Sequence, residues 1–162
     1  MVQLLRRSEE ILAYRPLRQI LAAKPRTTLW SVGPRDNALS AMHLMADKNI
    51  GLLVVMENNA IVGVLSERDC VRRLVLAGRS PEATPVVDIM VRDVVKADIG
   101  NTFADCLNLM HAHRIRHLPV MENGVAIGII SIRDLLSEAV AHHAKVIGEL
   151  ERERLTMLTS TA

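Results

Sequence analysis

The sequence predicts an α/β protein of two tandem β-α-β-β-α repeats with additional N- and C-terminal helices. The main observation is that residues 50–69 return at 115–134, where ten of twenty aligned positions are identical without a gap. In both segments an apolar run, an Asn-containing turn and a second apolar run precede a helical pattern. Two copies are too few for a solenoid. We therefore expect one duplicated unit whose halves are related by a pseudo-two-fold axis.

The chain is expected to divide at proline- and charge-rich positions. A short amphipathic helix is expected near the start, and the two prolines between Arg79 and Pro85 mark a linker between the repeats. The predicted divisions are an N-terminal helix (1–16), a first repeat (17–80), a linker (81–85), a second repeat (86–140) and a C-terminal helical extension (141–162).

Local signals predict the elements of the first repeat. A short strand is expected at Leu29–Val32, and Asp36 or Asn37 is placed to cap the helix that follows. The run Leu52–Met56 is apolar on both faces, which is typical of a strand covered on both sides. A returning strand and a helix from Ser66 to Ala77 complete the unit, with Gly78 at the helix end.

The second repeat follows the same plan. A helical turn is expected at Val86–Met90 and a short strand at Val94–Ala97. Asn101 or Thr102 is placed to cap the next helix, and the Glu122-Asn123-Gly124 turn joins the two strands of a hairpin. The residues of the capped helix predicted to face inward are Phe103, Cys106, Leu107 and Met110.

Composition excludes several classes of function. With three aromatic residues and a net charge of +2, the chain offers little for base stacking or phosphate-backbone binding, so nucleic acid is not expected as a partner. No apolar run reaches the roughly 18 residues of a membrane span, and no secretory leader is evident. Cys70 and Cys106 lack metal or disulfide spacing, and we expect a soluble, cytoplasmic protein. Metal binding is not expected because no suitable ligand spacing accompanies His111, His113, His142 and His143.

One motif closes both repeats. Gly63, Ser66, Arg68 and Asp69 return as Gly128, Ser131, Arg133 and Asp134. A strand that leads into a helix N-terminus favours a bound anion, so two related sites are predicted. The alternative is a helix capping box, which uses Ser and Asp but requires neither the Gly nor the Arg. For the two arginines the alternative is a solvated helix surface.

The chain resembles the tandem cystathionine-β-synthase (CBS) domain pair between about Leu17 and Val140. Three features carry the resemblance: a capped helix containing a late Met in each copy, the Ile-x-x-Leu-Pro-Val run at 115–120, and the repeated Gly-x-x-Ser-x-x-Asp closure. The first copy departs at Gly51, Leu52 and Val54, where the second has Arg116, His117 and Pro119.

The resemblance implies ligand clefts between the repeats. In each cleft Asp69 or Asp134 would bind the ribose hydroxyls, Ser66 or Ser131 a phosphate, and Gly63 or Gly128 would let the ligand approach. Arg116 and His117 match a basic pair that contacts phosphates in the family. Because such a pair tends to contact the ligand held by the other repeat, we expect Arg116 and His117 at the Asp69 cleft. That cleft should then bind phosphates more tightly than the Asp134 cleft.

No nucleophile with an adjacent base and no catalytic carboxylate pair can be assembled, so an enzyme is not expected. The leading hypothesis is a stand-alone regulatory module, without an obligatory cofactor, that senses an adenosine-type ligand: AMP, ADP, ATP, NAD or S-adenosylmethionine. The alternative is a ligand-free module for dimerisation and docking of an unidentified protein. A DNA-associated regulator is a weaker third possibility. A homodimer is expected because the terminal helices carry apolar stripes with no surface to cover within the pair.

Overall fold

A computed structural model of the protein describes residues 13–24 and 29–160. The predicted N-terminal helix falls mostly on residues 1–12, outside the described part, and residues 13–16 are not helical. The described chain is a mixed α/β structure with two three-stranded sheets, one for each repeat. The predicted fold class is therefore confirmed.

The described part of the first half, residues 13–24 and 29–89, contains four helical segments and three strands. The third helix continues without a break as a π-helix over Cys70–Val75. The elements are α1 (Leu17–Ala22), β1 (Ser31–Val32), α2 (Ala38–Lys48), β2 (Leu52–Glu57), β3 (Ala60–Ser66), α3 (Glu67–Asp69) and α4 (Val86–Ile89).

The second half repeats this order with a longer final helix. The short strand predicted at Val94–Ala97 lies further along, at Ala97–Asp98. The elements are β4 (Ala97–Asp98), α5 (Phe103–His113), β5 (His117–Glu122), β6 (Val125–Ser131) and α6 (Ile132–Ser160).

The two sheets have the same topology and register. In each, a short strand pairs in parallel with a central strand, which pairs antiparallel with the last. Leu52 lies opposite Ser66, and His117 opposite Ser131, which is the same pairing shifted by 65 residues. The irregularity after Val55 recurs after Val120. The sequence duplication is thus a structural duplication down to single residue pairs.

Side-chain caps start the helices that follow the short strands. Of the candidates for capping, Asn37 and Thr102 perform the role: Asn37 Oδ1 accepts from Ser40 N at 2.8 Å, and Thr102 forms a capping box with Asp105. Both helices end on a left-handed residue, Asn49 or Arg114. These ends direct the chain into β2 and β5, where the basic pair of the second copy lies.

Each half has its own aliphatic core, and a helix is exchanged between the two. Leu17, Ile20 and Leu21 of α1 pack with the second repeat, although α1 precedes the first in the chain. In the reciprocal arrangement, α4 packs with the first repeat although it precedes the second. The exchange is what a pseudo-two-fold arrangement predicts. As a result, the segment that precedes each repeat in the sequence packs against the other repeat, at the point where its last strand leads into a helix.

The helix α6 is one continuous element of 29 residues, as the charged C-terminal pattern indicates. Its N-terminal part packs on the second core through Leu135 and the buried Glu138, which is bound by Arg15 Nε at 2.7 Å. Leu107 of α5 was expected to face inward but is 38% exposed, because Cys106 and Met110 take the core-facing side. Within the described residues no helix is long and apolar enough to cross a membrane.

Candidate functional site

The two Ser-x-x-Asp segments form helix caps. Ser66 N donates to Asp69 Oδ2 at 3.0 Å, and Ser131 N donates to Asp134 Oδ2 at 2.7 Å. In return, each Asp backbone N–H donates to the Ser hydroxyl. The capping interpretation is therefore correct as geometry. A ligand would have to use the same carboxylates, and the described hydrogen bonds of the caps converge on one oxygen, Oδ2.

A cleft of about 660 Å³ lies between the repeats beside the second of these caps. The first repeat contributes the end of α2 and the start of β2, and the second contributes the start of β5, part of β6 and the start of α6. Its volume lies within the usual range for a small-molecule site. The chain before β1 adds Leu21, Lys24 and Trp30 to the lining.

Six of the ten predicted site residues line this cleft, and four do not. Ser131 and Asp134 meet there with the basic pair and with the glycine and arginine of the same repeat. The residues in the cleft are Arg116, His117, Gly128, Ser131, Arg133 and Asp134; those outside its lining are Gly63, Ser66, Arg68 and Asp69.

The structure does not place Arg116 and His117 in a cleft with Asp69. They line the cleft of Asp134 instead, which belongs to their own repeat. The reason is the register of the sheet: β5 begins at His117, whose Cα partner on β6 is Ser131. In addition, Ile132 N donates to Arg116 O at 2.9 Å. The basic pair is thus held against the second cap by backbone pairing.

The first repeat accommodates this basic pair by having no side chain at position 51. A Cβ added to Gly51 would lie 3.4 Å from His117 Cε1 and 3.3 Å from Glu67 Oε2. A methyl group at this position would already be in contact with the ring and the carboxylate. The departure of the first copy at Gly51 therefore serves the cleft of the second.

The residues of the first closure make contacts within the protein. Gly63 is covered by Met90 and Val91, and Arg68 Nη1 donates to Arg114 O in the other repeat at 3.3 Å. Asp69 faces Arg73, with 3.9 Å between Oδ1 and Nε. Arg68 therefore joins the two repeats, a role that the sequence did not predict.

Lys24 is a residue of the cleft that the sequence gave no reason to select. Its Nζ lies 2.8 Å from Asp134 Oδ2 and 2.7 Å from the carbonyl oxygen of Ile129. The lysine follows α1, so in the sequence it belongs to the first repeat, whereas its contacts belong to the second. A sequence signal would have required knowledge of the helix exchange.

The pKa values of two cleft residues show how charge is arranged there. Burial lowers the pKa of His117, and the charges of Arg116 and Lys24 lower it further, whereas Asp134 opposes them. Burial tends to raise the pKa of Asp134, but hydrogen bonds from Lys24 and Ser131 outweigh it and lower the pKa overall. Asp134 is therefore ionised and His117 is favoured in its neutral form at neutral pH.

The cleft combines excess positive charge with an apolar wall. Four lining side chains are cations and two are carboxylates. Lys48 Nζ lies 4.6 Å from the ring centroid of Trp30, the only tryptophan of the chain. The apolar part of the lining is formed by Leu21, Trp30, Ile50, Leu52, Ile127 and Ile129. Such a cavity suits a ligand with a flat apolar part and an anionic part.

The four histidines considered for a metal site lie at or near the surface. His111, His113 and His143 are exposed, and the partly buried His142 lies 4.3 Å from Tyr14, ring centroid to ring centroid. Within residues 13–24 and 29–160, no three His, Cys, Asp or Glu side chains come together in a group that could hold a metal.

Comparison with known proteins identifies the family. The family model described as CBS domain matches residues 17–76 and 86–141. The chain belongs to the CBS domain family. Its two domains form a tandem pair, and the family is one of regulatory and signalling modules rather than catalytic domains.

Relatives from several organisms share the CBS pair. The chain is 34% identical over 122 residues to the mitochondrial CBS domain-containing protein CBSX3 of Arabidopsis thaliana, with 72% of this chain and 58% of that protein covered. It is 31% identical to the CBS domain-containing protein YhcV of Bacillus subtilis, covering 67% and 77%. A solved structure of a protein with CBS domains from Burkholderia ambifaria is 42% identical, with a TM-score of 0.74 over 76% of this chain and 92% of that one.

Proposed function

We propose that this CBS pair binds an adenosine-type ligand carrying phosphate in the cleft of Asp134 and transmits its occupancy to a partner. The observation that carries the proposal is the convergence of Ser131 and Asp134 with Arg116 in one cleft of suitable volume. The two carboxylate oxygens of Asp134 accept hydrogen bonds from the two ribose hydroxyls, and Oδ2 also takes the described hydrogen bonds of the cap and of Lys24. The adenine packs on the apolar wall that includes Trp30 and Ile127.

The charge of the cleft supports an anionic ligand. A phosphate near Arg116 and Arg133 receives charge-assisted hydrogen bonds, each contributing roughly 1.5–3 kcal/mol. The same cations disfavour S-adenosylmethionine, whose sulfonium is positive. We therefore order the ligands with AMP, ADP, ATP and NAD ahead of S-adenosylmethionine. This proposal assigns the tighter phosphate binding to the Asp134 cleft, whereas the sequence led us to expect it at the Asp69 cleft.

We also propose a homodimer. Val71 and Val75 of the π-helix are 52% and 57% exposed, and the corresponding residues of α6, Leu136 and Val140, are 59% and 72% exposed. Duplicated apolar residues on both halves favour an isologous contact with a second copy. The exposed Ile147 and Leu150 extend the same helix and add apolar surface beside it.

Both cysteines support a reducing compartment. Cys70 and Cys106 are buried free thiols, and burial, with the nearby charge of Asp69, raises the pKa of Cys70 to about 11. Thiols of this kind are unreactive core residues. We accordingly propose a cytoplasmic location.

Calorimetry with AMP, ADP, ATP, NAD and S-adenosylmethionine tests ligand binding, with Trp30 fluorescence as a second signal. Asp134→Asn keeps an oxygen for the cap but loses the charge, and we expect it to weaken AMP binding about ten-fold or more. Asp69→Asn is the matched control and should change affinity less than about three-fold. If no ligand binds the wild type and none raises its melting temperature, the ligand-free docking alternative is correct.

Sedimentation tests the dimer. Val75→Glu combined with Val140→Glu places charges in both copies of the apolar surface, and we expect a monomer at concentrations where the wild type is dimeric. Val125→Glu is the control, because Val125 is 63% exposed at the β5–β6 turn, away from these helices. A double variant that sediments like the wild type would contradict this interface.

A further inference from the structure

The ammonium of Lys24 lies against the carboxylate that the proposed function assigns to the ribose. It binds Asp134 Oδ2 at 2.8 Å and the carbonyl oxygen of Ile129 at 2.7 Å. Both partners of the ion pair are largely shielded, with 22% of the Lys24 and 19% of the Asp134 side chain exposed. A ribose hydroxyl that donates to Asp134 must therefore compete with a partly desolvated, charge-assisted contact.

The corresponding contact in the other half is made by backbone. Val64, the equivalent of Ile129, exchanges two hydrogen bonds with Val91, of 2.9 Å and 2.8 Å. Leu21 covers Gly128 as Met90 covers Gly63, so the two preceding segments are equivalent. A backbone pair is fixed, whereas a lysine side chain can rotate away from its acceptors. Only the closure at Asp134 is thus made by a group that can leave without unfolding a strand.

The displaced ammonium has other cations around it. Arg116 and Arg133 line the same cleft as Lys24 and His117. Burial lowers the pKa of His117, and the charges of Arg116, Lys24 and Arg133 lower it further against the opposing charge of Asp134. The other carboxylate of the cleft lining is Glu67, so a neutral nucleoside bound to Asp134 would leave one carboxylate for the four lining cations. A phosphate in this part of the cleft would provide a further anionic partner and relieve the repulsion between the cations.

On the basis of the proposed function, we infer that Lys24 is a specificity-determining residue. It excludes nucleosides from Asp134 and admits nucleotides, because the phosphate of a nucleotide replaces Asp134 as the anionic partner of the Lys24 ammonium. Lys24 thereby couples recognition of the ribose to recognition of the phosphate. Removing the ammonium should act in opposite directions on the two ligands. A neutral side chain opens Asp134 to adenosine and deprives AMP of one phosphate contact.

Calorimetric titration of Lys24→Met with AMP and with adenosine measures this coupling. We expect AMP affinity to fall about five- to ten-fold and adenosine affinity to rise several-fold, so that the preference for AMP shrinks more than about ten-fold. Lys24→Arg keeps the charge and should retain most of the preference. Arg18→Met is the matched control, because Arg18 lies on α1, the helix that precedes Lys24, and pairs with Glu122 on the surface.

The outcomes distinguish the inference from the function on which it rests. If AMP binds and Lys24→Met changes both ligands by the same factor, the inference is wrong and the proposed function stands. If neither ligand binds the wild type but adenosine binds Lys24→Met, the exclusion by Lys24 is supported. If neither ligand binds any of the folded variants, both the inference and the proposed function are overturned. Thermal unfolding verifies that each variant is folded.

Discussion

The closures at Asp69 and Asp134 are alike in chain geometry and differ in what lies against them. Each has the same strand register, the same irregularity and the same Ser–Asp cap. Against the first lies a backbone segment, Met90–Val91, and against the second lies the side chain of Lys24. Duplication thus preserved the local structure, while the segments brought in by the helix exchange gave the two ends different chemistry.

Charge follows the same division. Because Leu21 and Met90 occupy equivalent places on Gly128 and Gly63, Lys24 is equivalent to Asp93 in the other half. Arg116 and His117 likewise correspond to Gly51 and Leu52. The three basic residues beside Asp134 therefore have an acid and two uncharged residues as their counterparts, of which Gly51 and Leu52 also line the Asp134 cleft. An anionic ligand should distinguish the two ends by electrostatics alone.

The largest expected effect of this difference is on the stability of alanine variants at the two closing glycines, Gly63 and Gly128. A Cβ at Gly63 would lie 2.6 Å from Met90 Sδ and 3.0 Å from the carbonyl oxygen of Val91, which is held by its pair with Val64. We expect Gly63→Ala to lower the free energy of unfolding by about 1–3 kcal/mol. At Gly128 the nearest atom is Leu21 Cδ2 at 3.4 Å, and Gly128→Ala should stay within about 0.5 kcal/mol.

Urea unfolding followed by circular dichroism measures both glycine variants under the same conditions. Equal destabilisation by the two substitutions would show that the segment before each repeat closes its glycine equally tightly. The distinction between a fixed and a displaceable closure would then be lost.

The sequence was sufficient for features that depend on neighbouring residues. The repeat predicted a duplicated unit, and the Asn58-Asn59 turn takes the positive φ values that its residues tolerate. Gly78 ends its helix with a φ of 64°, as its position indicated. These features depend only on residues that are close together in the sequence and do not depend on contacts with the other half.

The sequence was insufficient where the two halves meet. The π-helix at Cys70–Val75 has no distinct signal, because its residues are ordinary helix formers. The placement of Arg116 and the role of Lys24 depend on which sheet α1 covers, and an amphipathic stripe does not specify its partner. The repeated motif could be recognised from the sequence, whereas the grouping of its residues around a cleft required the tertiary structure.

A smaller effect should distinguish the two ends through pH. In the empty cleft the pKa of His117 lies below its ordinary value near 6.5 because of burial and the charges of Arg116, Lys24 and Arg133, opposed by Asp134. The unfolded chain therefore binds more protons at this residue, and stability should fall as pH decreases through 6.5 toward the lowered pKa.

A phosphate bound beside His117 reverses this tendency, because its negative charge favours the imidazolium and raises the pKa of the residue. Binding of AMP should then take up protons, and wild-type affinity should gain a few-fold over that of His117→Asn between pH 7 and about pH 5.5. The ratio to His117→Asn cancels the titration of the phosphate itself, whose second pKa is near 6. Calorimetry in two buffers of different ionisation enthalpy counts the protons taken up. If wild type and His117→Asn take up equal numbers, the phosphate does not lie beside His117, and the Asp134 end loses its proposed advantage from this residue.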